Sequence, residues 1–506
     1  MPNYYKKTLM RQLKTYFFLP FFITFLVAGC SIQKNPVTGT TRAFGYSWSQ
    51  EIQIGRDADP EIVAQFGLYD DDELADYVVE IGERILAESH LRRPDTDRQF
   101  RETEFTFRML DSPVINAFAL PGGYIYFTRG MMAHLSNEAQ FAVVMGHEIG
   151  HVAARHASQR ALRQTIGQIA VVGGAVLGQE ILGLPGQTLL ELSSTAAQLL
   201  FLSYSRDNER ESDALGVEYA AMSGYDSAEG AALFTSLKRI SEKYGQTIPN
   251  FVSTHPDPGE REIRIPRLAD EWRERSYEQT ERNEERYMQI IDGLIFGDNP
   301  RHGFEENGVF YHPDLEFRYN IPSGWEMINQ PSQVVLLSQQ EDAVSIFRID
   351  GESSTPQQSV RAITSQDGIQ LLEEGETLSS GEWNAYEATA HASLQDGTPI
   401  GLYIYAVSYG DYIYRFINYT VRDRYDTYED NFRYVTESFD RLTDPSILAI
   451  EPVRIQTFRA NRSGTFESFL PDPIPMDMDA LDIAIINQVE LEDQIQQGQW
   501  LKIPVQ

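Results

Sequence analysis

Residues 147–151 read His147-Glu148-Ile149-Gly150-His151, the HExxH pattern. On an α-helix, residues four positions apart lie on one face, so the two imidazoles can converge on one Zn²⁺ ion. Glu148 projects beside them and can take a proton from a water that the metal activates. Two histidines can fall at this spacing by accident, but here the flanking residues also predict a helix. We therefore expect one zinc ion per chain.

The flanks favour a helix around this motif. Ser136 or Asn137 can cap its start, and Glu138 suits the positive end of the helix dipole. Apolar residues for burial follow at Phe141, Val143, Val144 and Met145. The helical pattern continues to His156, which we expect to make structural hydrogen bonds.

A catalytic zinc site needs a third protein ligand and leaves one position for water. The best candidate is Glu209, which lies 58 residues after His151 (209 − 151), so a second helix must bring it back. Asp213, one turn after Glu209, could orient a ligand histidine. The same acidic cluster can also be read as a solvated helix face, and Glu211 is a rival for the ligand position.

Five ordered blocks mark residues from about 35 to about 264. They are Asn35-Pro36-Val37-Thr38-Gly39, residues 116–123, the HExxH helix, residues 205–213, and Thr254-His255-Pro256. This series resembles peptidase family M48, the HtpX and CAAX-prenyl-protease group, and above all its periplasmic lipoprotein members. The resemblance implies a mainly α-helical catalytic domain with a small β-sheet, of the zincin (gluzincin) type. It also implies that Glu209 is the third zinc ligand and that Asp213 supports the site, with Ser212 replacing the usual Ala.

His255 lies in the last of these blocks. The resemblance implies that it stabilises the oxyanion of the reaction or occupies the open zinc position at rest. A structural role in a loop is the alternative. The remaining histidines belong to no motif, and we expect surface or hydrogen-bonded positions for His90, His134, His302, His312 and His391.

Two strands are predicted before the zinc helix, at 104–110 and 124–128, around the Gly122-Gly123 turn. Pro121 suits an edge strand. Peptidases of this kind bind substrate as an added strand through backbone hydrogen bonds. We therefore expect a substrate-binding strand beside the zinc, formed by Asn116, Ala117, Phe118 and Ala119. The alternative is an ordinary hairpin in a small sheet.

The sequence pattern of residues 1–30 predicts the cellular compartment of the protein. Four basic residues precede an apolar segment of 13 residues, 16–28, which is too short to span a bilayer and typical of a signal-peptide core. Val27-Ala28-Gly29-Cys30 then resembles a bacterial lipobox, which implies removal of residues 1–29 and lipidation of Cys30, the single cysteine. Ser31 favours, by the same resemblance, the periplasmic face of the outer membrane.

The net charge of −32 becomes −36 without the four positive charges of residues 1–29 (−32 − 4). Such an acidic chain is a poor match for nucleic acid or for electrostatic attachment to anionic lipid. We therefore expect no nucleic-acid partner.

The length predicts a multidomain chain, with the zinc peptidase domain over 30–298. Residues 163–202 are apolar and Gly-rich. They predict either a helical hairpin on the catalytic core or a mobile cover that touches membrane or hydrophobic substrate. The charged segment 270–298 predicts a solvated helix followed by a linker.

An α+β domain with an antiparallel sheet is predicted over 304–445. Its strands are expected near 317–321, 334–337, 343–347, 383–388, 402–407 and 412–416, and its helices near 359–374 and 425–438. Residues 312–325 resemble the PsbP/Mog-like fold. No catalytic constellation appears there, so binding or scaffolding is expected.

The last region, 446–506, resembles a degenerate LysM repeat. Residues 484–504 fit its second half, whereas Ser463-Gly464-Thr465 only approximates its first half. The resemblance implies contact with peptidoglycan or with envelope proteins, and glycan binding stays open.

Together these patterns predict a lipid-anchored zinc endopeptidase in which Glu148 moves a proton from water to the leaving amine. By resemblance, its substrates are misfolded or misassembled envelope polypeptides. Two alternatives are open: a mostly latent protease that acts as a chaperone or assembly scaffold, and a cell-wall binding module.

Overall fold

The computed structural model describes residues 31–163, 204–244, 251, 254–256, 260–380, 382–394, 397–475 and 478–506. The expected signal segment, Cys30 and nearly all of the apolar segment 163–202 lie outside these residues. Among the helices that are described, none combines the length and the apolar character that crossing a membrane requires.

The first half of the chain is mainly helical, as predicted. Its elements are β1 (Ser31–Lys34), β2 (Thr41–Phe44), α1 (Trp48–Phe66), α2 (Asp72–Glu88), α3 (Arg98–Arg101), β3 (Thr106–Leu110), β4 (Ala117–Leu120), β5 (Tyr124–Thr128), α4 (Arg129–His134), α5 (Glu138–Ala154), α6 (Arg206–Met222), α7 (Gly230–Tyr244), α8 (Arg261–Glu274) and α9 (Glu284–Ile290). Residues 156–163 are also helical.

A small sheet precedes α5, with the strand order β3-β5-β4. The two predicted strands, β3 and β5, are neighbours but run parallel, and β4 forms the hairpin with β5. Gly122 and Gly123 make its turn with φ of 83° and 100°, a conformation that favours glycine. β4 is therefore an edge strand, as Pro121 indicated.

Helices α5 and α6 pack backbone against backbone. A Cβ on Gly146 would lie 2.9 Å from the carbonyl oxygen of Gly216, and one on Gly216 would lie 2.8 Å from the backbone nitrogen of His147. Side chains cannot fit into such a gap, so glycine at both positions lets the helices approach. Asn137 caps α5 by accepting from Gln140 N, and all residues of α5 are buried.

The predicted helix over 270–298 was wrong in extent. α8 ends at Glu274, and a separate helix, α9, buries Tyr287 and Met288. The mixed charges predicted solvent exposure correctly for the end of α8, but the apolar residues of α9 face the core.

The α+β region is present. It contains β6 (Phe304–Glu306), β7 (Val309–His312), β8 (Phe317–Asn320), β9 (Glu326–Gln330), β10 (Gln333–Leu337), β11 (Ala343–Asp350), α10 (Pro356–Thr364), β12 (Gln370–Ser379), β13 (Trp383–Ser393), β14 (Pro399–Tyr409), β15 (Tyr412–Val421), α11 (Tyr425–Glu437) and β16 (Asp440–Arg441). A seven-stranded antiparallel sheet has the order β12-β13-β14-β15-β11-β10-β9, and a second sheet has the order β16-β8-β7-β6.

The two faces of the large sheet are covered differently. Tyr403 and Tyr405 of β14 pack with Phe432 of α11 and with the smaller sheet, whereas Ile404 packs with Val360 of α10. This alternation is the two-residue period of a strand buried on both faces. The predicted helix at 359–374 was wrong beyond Thr364, because residues 370–379 form the edge strand β12.

The last region packs back onto the helical half. Its elements are α12 (Pro445–Leu448), β17 (Arg454–Arg459), β18 (Gly464–Thr465), α13 (Ala480–Ile486), β19 (Gln494–Ile495) and β20 (Trp500–Val505). β17 pairs antiparallel with β20. Ile485 and Ile503 share one hydrophobic core with Phe141 of α5. Lys502 is fully buried and donates to the carbonyl oxygens of Ala133 and Leu135 at 2.8 and 2.6 Å.

Candidate metal centre

Two helices and one loop supply the site. α5 carries His147 and His151 one turn apart, with Glu148 directly after His147. α6 carries Glu209 in its first turn. Ser205 caps α6 by accepting a hydrogen bond from Asn208 N, which fixes the start of the helix just before Glu209. Since α5 and α6 are in backbone contact, the glutamate lies directly opposite the two histidines.

The four candidate ligand atoms converge. The Nε2 atoms of His147 and His151 are 3.0 Å apart, and each lies 3.5 Å from one carboxylate oxygen of Glu209. Nδ1 of His255 lies 3.4 Å from Glu209 Oε1 and 3.3 Å from His147 Nε2. All four ligand atoms lie within 4.8 Å of one another, in a buried cluster.

This donor set fits one zinc ion. Imidazole nitrogen and carboxylate oxygen are ordinary zinc ligands, and three protein ligands leave a position for water. Glu209 Oε1 is buried and has no hydrogen-bond partner within the described part of the chain. Since a buried unpaired carboxylate oxygen is costly, a cation at this point would complete the site.

Glu148 lies next to the cluster and is fully buried. Neither of its carboxylate oxygens has a hydrogen-bond partner among the described residues, and His255 Nε2 is 3.5 Å from Oε1. Burial raises the pKa of Glu148 above its ordinary value. A carboxylate of raised pKa is well suited to accept a proton and return it.

Asp213 and Arg261 support one side of the cluster. Asp213 Oδ1 lies 3.1 Å from His147 Nδ1, within reach of that ring, and its orienting role stays a prediction. Arg261 donates to Glu209 at 2.5 Å and to Asp213 at 3.0 Å, and it is buried. Burial opposes charge on Asp213, yet hydrogen bonding to His147 and the charge of Arg261 lower the pKa of Asp213. Arg261 was missed, because no local spacing relates it to Glu209.

The electrostatic states of the two histidines differ. Burial disfavours a charged His147, but hydrogen bonds to Asp213 and Glu209 outweigh it and raise its pKa to about 9. Burial lowers the pKa of His151 well below its ordinary value. These directions apply to the site without a metal. A bound cation would favour the neutral ring at both positions, since ligands must be deprotonated.

His156 and Glu211 lie on the other side of His151. Nδ1 of His156 is 3.0 Å from Nδ1 of His151, and Nε2 of His156 is 3.0 Å from Glu211. Glu211 therefore points away from the four-residue cluster, and the geometry favours Glu209 over its rival. His156 makes hydrogen bonds, as expected.

The first of the five sequence blocks, residues 35–39, contacts the carboxyl end of α5. Asn35 is fully buried, and its side chain donates to the carbonyl oxygen of Ala154 at 3.2 Å. The same side chain accepts from the backbone of Val37 and Thr38 at 2.9 Å each. Asn35 thus satisfies a terminal carbonyl of α5, a role that sequence spacing alone did not reveal.

The predicted substrate strand lies at the edge of the small sheet, next to α5. Thr128 N donates to the carbonyl of Asn116 at 3.1 Å, so the antiparallel alternation turns the backbone groups of Ala117 and Ala119 away from β5. Asn116 Oδ1 is buried and lacks a hydrogen-bond partner among the described residues. Substrate binding at this edge stays a prediction.

Comparison with known proteins agrees with this site. Residues 76–268 match the model of Peptidase family M48. The chain is 31% identical over 193 residues to a putative beta-barrel assembly-enhancing protease of Vibrio cholerae serotype O1, covering 37% of each chain. It is 28% identical over 232 residues to the beta-barrel assembly-enhancing protease of Escherichia coli K12, covering 45% of each. The mitochondrial metalloendopeptidase OMA1 of Bos taurus is 30% identical over 174 residues, with 33% of each covered.

These matches span less than half the length of each relative. Among solved structures, cyanobacterial PsbP from Synechocystis matches 26% of this chain and 91% of its own at 17% identity, with a TM-score of 0.22. The yeast Ran-binding protein Mog1p matches 29% of this chain and 100% of its own at 12% identity, with a TM-score of 0.21. Scores this low establish no shared fold, so the PsbP/Mog-like assignment stays a prediction.

Proposed function

We propose that this chain, whose residues 76–268 match the model of Peptidase family M48, is a zinc endopeptidase that hydrolyses misfolded or misassembled envelope polypeptides. The observation that carries the proposal is the buried cluster of His147, His151 and Glu209 with Glu148 beside it. Two relatives, named as beta-barrel assembly-enhancing proteases, support the envelope as its place of action.

When bound, zinc acts as a Lewis acid that polarises a peptide carbonyl and lowers the pKa of water towards neutrality. His147, His151 and Glu209 would hold the ion. Glu148 accepts the proton of the attacking water on its carboxylate and then delivers it to the nitrogen of the leaving amine. Neither oxygen has a hydrogen-bond partner among the described residues, so both are available to accept this proton.

The position of His255 supports a resting state of the site in which no water can bind the metal. Its Nδ1 lies in the donor cluster, so His255 can serve as a fourth ligand and fill the position that water needs. This placement favours a latent enzyme whose cleavage requires the 254–256 segment to move. Of the alternatives, the latent protease that acts as a chaperone or scaffold therefore gains more support than the cell-wall binding module.

Substrate binding is proposed at the outer edge of β4. An extended chain that pairs with the backbone of Ala117 and Ala119 would be read with little dependence on sequence, which suits a protease of unfolded polypeptides. Asn116 would add a side-chain contact through its unpaired oxygen.

The decisive experiment measures zinc content and cleavage of an unfolded outer-membrane β-barrel polypeptide by the purified chain. Glu148→Gln should keep the zinc and lower kcat by about 10²- to 10⁴-fold, the usual contribution of a general acid–base. The exposed Glu83→Gln on α2 is the matched control and should leave both unchanged. If Glu148→Gln cleaves normally, the enzyme proposal is wrong. If it instead prevents aggregation as well as wild type does and neither protein cleaves, the chaperone alternative gains.

Attachment through lipid on Cys30 is a separate proposal, motivated by the apolar segment 16–28 that precedes this residue. Cys30→Ser should leave an unprocessed precursor in the inner membrane, measured by fractionation and mass spectrometry. Recovery of wild-type protein in the soluble periplasm with a free thiol would contradict the anchor.

A further inference from the structure

The two zinc-binding histidines of α5 are oriented in different ways. His147 contacts the carboxylate of Asp213 directly, at 3.1 Å from Nδ1. His151 has no carboxylate at that position. Its Nδ1 instead faces the Nδ1 of His156 at 3.0 Å, and the far nitrogen of His156 lies 3.0 Å from Glu211 Oε2. On its Nδ1 side, and among the residues that the structure describes, His151 therefore reaches a carboxylate only through a second imidazole.

One arrangement of protons satisfies both contacts, from His151 to His156 and from His156 to Glu211. If His151 presents a lone pair on Nε2 to the metal cluster, its proton is on Nδ1 and is donated to Nδ1 of His156. His156 then carries its own proton on Nε2 and donates it to Glu211. The hydroxyl of Ser212 is 3.4 Å from His156 Nδ1 and can only assist as a second donor to that atom in this arrangement.

The backbone is shaped to allow this contact. Residues five apart on a continuous helix differ by about 140° in direction, so His156 could not face His151 if α5 simply continued. Arg155 interrupts the helix with φ of 60°, in the left-handed region. Its side chain is fully buried and donates to Glu51 at 2.6 and 2.8 Å and to Gln33 at 2.8 Å.

We propose that His156 and Glu211 are positioning residues that fix the ring orientation and the tautomer of His151 at the metal centre. The inference rests on the proposed zinc site and deepens it. A residue that orients a ligand contributes to metal affinity, and loss of such a partner weakens binding by about 10- to 100-fold.

The test uses the full chain and measures the dissociation constant for zinc by competition with a chromophoric chelator. His156→Ala should raise that constant by about 10- to 100-fold. His156→Gln should restore most of the affinity, because one amide can accept from His151 and donate to Glu211. The matched control is His90→Ala, since His90 is also buried and lies 2.9 Å from the hydroxyl of Tyr219 but touches none of the proposed ligands. It should leave zinc affinity unchanged.

A second variant covers the case in which His156→Ala fails to fold. Glu211 is partly exposed, with 34% of its side chain accessible, so Glu211→Ala is expected to fold. It should raise the zinc dissociation constant several-fold and alter the absorption spectrum of the cobalt-substituted protein, which reports ligand geometry.

Unchanged zinc affinity in Glu211→Ala with an unchanged cobalt spectrum, together with unchanged affinity in His156→Ala where that variant folds, would overturn the inference while the zinc peptidase proposal stands. If the wild-type chain binds no zinc, the proposed function itself fails. The two failures are therefore distinguishable.

Discussion

Buried carboxylates occur in both halves of the molecule, but their surroundings differ. In the α+β half, Asp350 accepts from Ser359 Oγ at 2.6 Å and from Arg415 at 2.8 Å. Burial opposes its charge, yet these hydrogen bonds lower its pKa to about 2. In the helical half, Glu148 and one oxygen of Glu209 have no hydrogen-bond partner among the residues described.

The difference separates a structural charge from a functional one. A buried carboxylate without a partner costs free energy, and folded proteins keep such groups where a ligand or a proton completes them. The carboxylate of Asp350 already has hydrogen-bond donors, so its role is structural. Both oxygens of Glu148 and Oε1 of Glu209 lack such partners among the described residues, which supports the proposal that these two side chains act on a bound metal and substrate.

The largest effect is expected for Glu209, where a substitution tests whether the carboxylate with an unpaired oxygen is the one that holds the metal. Glu209→Gln removes the charged ligand and should leave the purified chain without stoichiometric zinc and without cleavage. Asp350→Asn, an equally small change at a buried carboxylate, should keep one zinc per chain. Metal analysis by mass spectrometry measures both. If Glu211→Gln loses the metal and Glu209→Gln keeps it, the ligand assignment is wrong.

The opposite change removes the cationic partner of a buried carboxylate in the other half. Arg415→Met removes a partner of Asp350 and should destabilise the α+β region by about 3 kcal/mol, near the lower limit for a broken buried pair because Ser359 still donates. Denaturant unfolding checks this value. Zinc affinity should not change, and a large loss of zinc would show that the two halves are not independent.

His255 should have a smaller effect with a diagnostic direction. If it is the fourth ligand at rest, His255→Ala opens the water position and raises basal cleavage several-fold. Rates on an unfolded substrate, at saturating zinc, measure the change. A fall of about ten- to a thousand-fold would instead assign it to the oxyanion.

Lys502 extends the comparison from buried carboxylates to a buried amino group. Burial lowers its pKa to about 7, below the ordinary lysine value of about 10.4. Between these two pH values the unfolded chain binds more protons than the folded chain, so this residue makes stability rise with pH, by at most about 1.4 kcal/mol per unit. Lys502→Met should remove this increase between pH 7 and about 10. Equal slopes for the variant and wild type in denaturant unfolding would contradict the prediction.

The sequence predicted those parts of the site that depend on local geometry. His147, Glu148 and His151 follow from helical spacing, and Asn137 was among the predicted caps of α5. Glu209 needed the family resemblance, since spacing alone left Glu211 as a rival.

The remaining contacts join distant segments, and their pairing depends on packing. Arg261 reaches Glu209 across 52 positions, and Asn35 reaches Ala154 across 119. No periodicity encodes such pairs. β12 was missed for a different reason: Leu371, Leu372, Glu373 and Glu374 favour helices, and the exposed edge strand they form lacks alternating burial.

The shared core of α5 and the last region sets an order of events during synthesis. Ile485 and Ile503 complete the same core as Phe141, although more than 340 positions separate them from it (485 − 141 = 344). A chain emerging from the ribosome or from an export channel therefore carries its HExxH helix long before that helix can be fully packed. The core around this helix is then completed only after the intervening α+β region has been synthesised and has had time to fold.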